Sequence, residues 1–160
     1  MAIANHDTGN VKFTISNFGR YGVPPDGLDN IWPGQGFKMP RTGTNYLFEG
    51  GMLMGDGPTR ISDGVRDENQ APGDDFQPVD SISLFEPGPR AHQEYHTVIN
   101  DQGADNPLQV QVTQRSLAYG QAPDNDYVIV EYTITNIGTD TLRGLLVAHY
   151  EDWDIPWNAP

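Results

Sequence analysis

Residues 126–154, Asp-Tyr-Val-Ile-Val-Glu-Tyr-Thr-Ile-Thr-Asn-Ile-Gly-Thr-Asp-Thr-Leu-Arg-Gly-Leu-Leu-Val-Ala-His-Tyr-Glu-Asp-Trp-Asp, constrain the fold more than any other part of the chain. Val128, Val130, Tyr132 and Ile134 take alternate positions, and Ile129, Glu131, Thr133 and Thr135 fall between them. A period of two, rich in β-branched and aromatic side chains, is the pattern of a half-buried strand. Residues 136–141 then have the composition of a polar turn. Residues 145–150 are apolar on both faces apart from His149, which predicts a strand buried on both sides. The expectation is a central hairpin of two strands joined by that turn.

Similar alternation predicts strands over residues 11–16, 45–56, 60–66, 81–85, 94–99 and 108–119. In the last of these, Leu108, Val110 and Val112 share one face, and Gln109, Gln111, Thr113 and Arg115 share the other. Gly50-Gly51 predicts a bulge or bend in the strand that contains it, or a place where a second backbone or a ligand comes close. No segment shows a period of 3.6. The predicted fold is therefore all-β, an antiparallel β-sandwich with long Gly- and Pro-rich loops. Jelly-roll and immunoglobulin-like topologies stay equally open. Residues 1–10 are polar and aperiodic and are predicted to be an extended or disordered arm; residues 11–160 form the single sandwich domain.

Composition narrows the partners. The 18 Gly and 13 Pro would suggest disorder, but 3 Trp, 7 Tyr and 6 Phe supply core material. The formal charge is −13, and the 9 basic residues form no cluster. Phosphate recognition needs a basic stripe, so nucleic acid and anionic membranes are poor partners. With no Cys there is no disulfide framework and no thiolate chemistry. The N-terminus has no basic segment followed by an apolar one, so the chain is either intracellular or preceded by a signal peptide.

Three chemistries have candidate residues. Tyr21 and Trp32 lie in the long loop over residues 17–35, and Trp157 follows the last strand; the two loop aromatics either pin that loop onto the core or, with Trp157, offer faces for a sugar-stacking platform. Asp124 and Asp126, with Asp152 and Asp154, offer loop carboxylates for Ca²⁺, although the ladder begun at Asp124 stops at Tyr127. Glu131, Glu151, Asp152 and Asp154 could supply paired carboxylates for glycoside hydrolysis, but acidic residues are abundant enough that such pairs arise without function. His92 and His96 would lie about 13 Å apart on one strand, too far for one zinc ion.

Five motifs occur in order: Val-Lys-Phe-Thr-Ile-Ser-Asn-Phe-Gly (11–19), Leu-Phe-Glu-Gly-Gly (47–51), Val-Gln-Val-Thr-Gln-Arg-Ser-Leu (110–117), Tyr-Val-Ile-Val-Glu-Tyr-Thr-Ile-Thr-Asn-Ile-Gly (127–138) and Tyr-Glu-Asp-Trp-Asp (150–154). Together they resemble the N-terminal β-rich region of large secreted bacterial surface proteins, many of which end in a sorting or anchoring domain. The resemblance implies an extracellular or cell-surface, non-catalytic module and carries over no catalytic residue. In that family the chain runs on past the Asp-Trp-Asp element, so either this chain is a fragment or it completes its sandwich differently. An incomplete sandwich has unpaired strand edges, and the expected partner is the chain itself or a homologous β-domain, with the arm and residues 11–16 as the donated strand. A glycan-binding module and a fragment of a polysaccharide-active enzyme are the competing expectations.

Overall fold

The computed structural model describes residues 2–22, 35–66 and 73–154. Twelve strands lie within them: β1 (Ile3–His6), β2 (Lys12–Ser16), β3 (Arg20–Gly22), β4 (Phe37–Lys38), β5 (Leu47–Gly57), β6 (Arg60–Asp63), β7 (Gln77–Pro78), β8 (Ser83–Phe85), β9 (Gln93–Asn100), β10 (Val110–Ala118), β11 (Val128–Asn136) and β12 (Leu146–Trp153). Among the described residues there is no helix, and so none long and apolar enough to cross a membrane. The fold is an all-β antiparallel sandwich.

One layer is a five-stranded sheet in the order β11-β10-β9-β7, with β8 also paired to β9. Facing it are a four-stranded sheet, β12-β5-β3 with β6 on β5, and a small sheet, β1-β2-β4. The alternation in β10 does what the sequence predicts. Val110, Val112, Gln114 and Ser116 are buried, whereas Gln111 and Thr113 are half-buried and Arg115 is exposed. Met52 and Met54 of β5 pack against Phe76, Ile99, Leu108, Val110 and Val112. Phe13, Ile15, Tyr21, Leu47 and Tyr95 make a second cluster toward the small sheet. The buried Asp101 carboxylate fixes the loop between β9 and β10, accepting hydrogen bonds from the backbone N–H of Leu108 (2.5 Å) and Val110 (2.9 Å) and from the Ser62 hydroxyl (2.9 Å).

Four expectations are corrected. First, β11 and β12 do not form a hairpin. β11 pairs along its whole length with β10, and β12 crosses to the other layer and pairs with β5. Sequence adjacency and a polar turn suggested pairing, but the inward faces of the two strands belong to opposite layers. Second, β12 is not buried on both sides; it is an edge strand with both faces largely open. Third, β5 runs unbroken through Gly50 and Gly51. The glycines serve close approach instead: a Cβ on Gly50 would lie 2.8 Å from the Tyr21 ring, and one on Gly51 would lie 2.8 Å from the Gly19 carbonyl oxygen. Fourth, residues 3–6 of the expected arm are a strand paired in register with β2, and the His6 at its end is fully buried. Donating that arm to a neighbour would first break these contacts.

Candidate functional site

The crossing of the chain between layers leaves one side of the sandwich open. β11 ends one sheet and β12 ends the opposite one, and their inward side chains face each other across a cleft. Val128, Val130 and Tyr132 come from β11, and His149, Glu151 and Trp153 come from β12. Phe13, Tyr21 and Phe37 form the floor of a cavity of about 440 Å³. Period-two geometry puts each of these triplets on one face of its strand.

Polar contacts order the cleft. The Tyr21 hydroxyl lies 3.0 Å from that of Tyr132 and also bonds the His149 ring. The His149 and Tyr21 rings stack with centroids 5.4 Å apart. Glu151 accepts a 2.7 Å hydrogen bond from the Trp153 indole N–H and lies 3.6 Å from His149 Nδ1. Trp153 meets Phe37 edge-on at 5.6 Å. Burial pushes the Tyr132 phenol up and draws the His149 imidazole down from its ordinary value, the latter against the opposing pull of Glu151. The cleft therefore holds neutral aromatic groups beside one carboxylate near its mouth.

The predicted site residues are placed as follows. Tyr21 is buried as the cleft floor and presents no open stacking face. Trp32 and Trp157 lie outside the described residues. The Asp124 carboxylate accepts a 2.6 Å hydrogen bond from the Tyr127 hydroxyl, and that of Asp126 accepts one from Asn10 at 3.1 Å. Asp152 is on the face of β12 opposite Glu151, and Asp154 follows the strand end. Among the described residues no group of three or more His, Asp or Glu converges that could hold a metal ion. Glu131 points away from the cleft and is held by Arg90 through two hydrogen bonds, 2.5 and 2.8 Å. Among the cleft-lining residues Glu151 therefore has no second carboxylate to act with.

Sequence reasoning missed Tyr132, His149 and Trp153 as a group. Tyr132 was visible on the Val128–Ile134 face of its strand, but residues 145–150 were expected to be buried on both sides and Trp153 lay beyond them. The signal that unites them is which edges face each other, and alternation within a strand does not carry it.

A second polar cluster lies within the core. His6 Nδ1 is 3.0 Å from Gln93 Oε1, and His6 Nε2 is 2.7 Å from Ser116 Oγ. Gln93 Nε2 in turn donates to Asp7 at 3.2 Å. The spacing is that of a hydroxyl nucleophile beside a base. Both His6 and Ser116 are fully buried, so no substrate can reach the pair in this conformation.

No family model, no curated protein and no solved structure matches this chain.

Proposed function

We propose that this chain is a non-catalytic structural module that self-associates through its exposed strand edges. The observation that supports this most is β12. It is an eight-residue edge strand, and it exposes apolar side chains on both faces: Leu146 at 74%, Val147 at 51%, Tyr150 at 45% and Trp153 at 45%. Native edges are ordinarily blunted by charged side chains, Lys above all, by Pro, by short length or by a bulge, and of these β12 has Glu151 and Asp152 toward its end. β12 contains neither Lys nor Pro, and neither does the nine-residue β11 across the cleft. The charge of −13 opposes association at long range, but at physiological salt the screening length is about 8 Å. The extracellular, cell-surface setting in this reading comes from the motif resemblance.

Sedimentation over a concentration series tests it. The expected result is a mass that rises with concentration, with Val147→Lys weakening association at least about tenfold, or about 1.4 kcal/mol. A chain that remains monomeric at every concentration overturns the reading.

A second reading, glycan binding, is supported by the half-exposed Trp153 with Glu151 and His149 at the cleft mouth. It predicts a glycan-array signal that Trp153→Ala abolishes.

A further inference from the structure

β12 has the composition of a central strand but the position of an outer one. Its one strand partner among the described residues is β5, so among those residues its other edge presents N–H and C=O groups that no strand pairs. That edge is also regular. Pairing with β5 shifts register between Asp152 and Trp153, but the extra residue, Phe48, belongs to β5. The free side of β12 is thus an uninterrupted template over its whole length.

A strand added there must satisfy two faces at once. The inward face carries Val147, His149, Glu151 and Trp153; the outward face carries Leu146, Ala148, Tyr150 and Asp152. When two copies pair antiparallel about a two-fold axis normal to the sheet, opposed residues must come from the same face, so the axis passes midway between two copies of one residue. Centring on His149 or on Tyr150 gives the fullest overlap of residues 146–153. Centring on His149 opposes the two imidazoles and sets Glu151 against Val147 and Asp152 against Leu146. Centring on Tyr150 instead opposes His149 to Glu151 twice and Val147 to Trp153 twice, with the two Tyr150 rings side by side. Centring on Glu151 would oppose two carboxylates. Aromatic, aliphatic–aromatic and acid–imidazole pairs are the favourable cross-strand neighbours, and like charges directly opposed are unfavourable.

Resting on the self-association reading above, we propose that the occupant of this edge is a second copy of the same chain, joined β12 to β12 in antiparallel register about Tyr150. The contact joins two four-stranded sheets into one continuous sheet of eight strands. It is isologous and closes as a dimer, so growth into a fibre needs a further contact elsewhere.

The chain has no cysteine, so a single introduced thiol reports on one position. In either kind of antiparallel pair, directly opposed Cα atoms are about 4.5–5.5 Å apart, within the roughly 4.4–6.8 Å that a disulfide spans. Tyr150→Cys is therefore expected to give a disulfide-linked dimer under mild oxidation. Ala148→Cys places its thiols about 13 Å apart along the strand and should stay unlinked, as should Thr133→Cys on β11. If the chain self-associates but Tyr150→Cys does not cross-link, or if Thr133→Cys links instead, the β12 register is wrong and self-association stands. If sedimentation shows only monomer and no variant cross-links, both fall.

Discussion

Replacing Glu49 with Ala is expected to lower stability by about 3–5 kcal/mol. Glu49 is buried on β5, and its two carboxylate oxygens are divided between two arginines. Oε2 accepts from Arg20 at 2.9 Å, and Oε1 accepts from Arg66 at 2.5 Å. Arg20 is also buried, while Arg66 is about one-third exposed, with its guanidinium 5.8 Å from the centre of the Phe48 ring. Burial draws the Arg20 guanidinium down from its ordinary value, and Glu49 is the largest opposing influence. Removing the carboxylate takes away the hydrogen-bonded counter-charge nearest a buried guanidinium and the largest influence opposing its desolvation, which is where the loss originates. Urea midpoints measure it. The double variant Arg20→Met/Glu49→Leu is expected to recover most of the loss, because a well-packed apolar pair avoids the desolvation cost. A loss under 1 kcal/mol for Glu49→Ala would show that the pair is solvated on unfolding and folding alike.

Acid is the second large effect. Desolvation holds His6 at a pKa of about 4, against an ordinary 6.5, even though Gln93 and Asp7 pull the other way. The ring is neutral in the folded protein, donating from Nδ1 to Gln93 and accepting at Nε2 from Ser116. In the unfolded chain it binds a proton below pH 6.5. The unfolded state therefore holds more protons between pH 6.5 and 4, and stability falls as pH drops through that window. The loss amounts to about 3 kcal/mol once pH is below about 4. Glu94 is shifted below its ordinary value and adds a loss at the acid end, whereas Asp63 and Asp75 are raised by burial and act in the opposite sense. A His6→Gln comparison separates the imidazole from these carboxylates. The difference in stability between the two proteins should shrink by about 3 kcal/mol from pH 7 to pH 4. A constant difference would refute the buried neutral ring.

Eight of the strands were legible, most of them because they are long enough for alternation to show, as in β10 and β11, and the short β6 and β8 because they fall within longer predicted runs. The remaining four, β1, β3, β4 and β7, have two to four residues, and no period can be read over so short a run. Pairing was legible only in part. The polar turn after Asn136 is consistent with a hairpin, yet β12 finds its partner in β5, more distant in sequence than any local pattern can register. The apolar character of residues 145–150 was read correctly, but the burial inferred from it was not, because character is a property of the strand and burial a property of its neighbours. The same division runs through the site. Tyr21 stood between two readings, an anchor for its loop and an open platform, and it is the buried floor of the cleft. His6 drew no notice because an isolated histidine in an aperiodic segment gives no sign that a Gln and a Ser wait for it on β9 and β10.

The order of assembly follows from the same long-range pairing. β5 has left the ribosome while the strand that will cover one of its edges is still about 90 residues away, so at about 5–20 residues per second that edge waits roughly 5–20 s for β12. During that interval the Met- and Gly-rich β5 is open to any extended segment nearby, including β5 of a neighbouring nascent chain. Yield on expression should accordingly depend on translation speed and on how densely ribosomes load the message, more than on the stability of the finished protein.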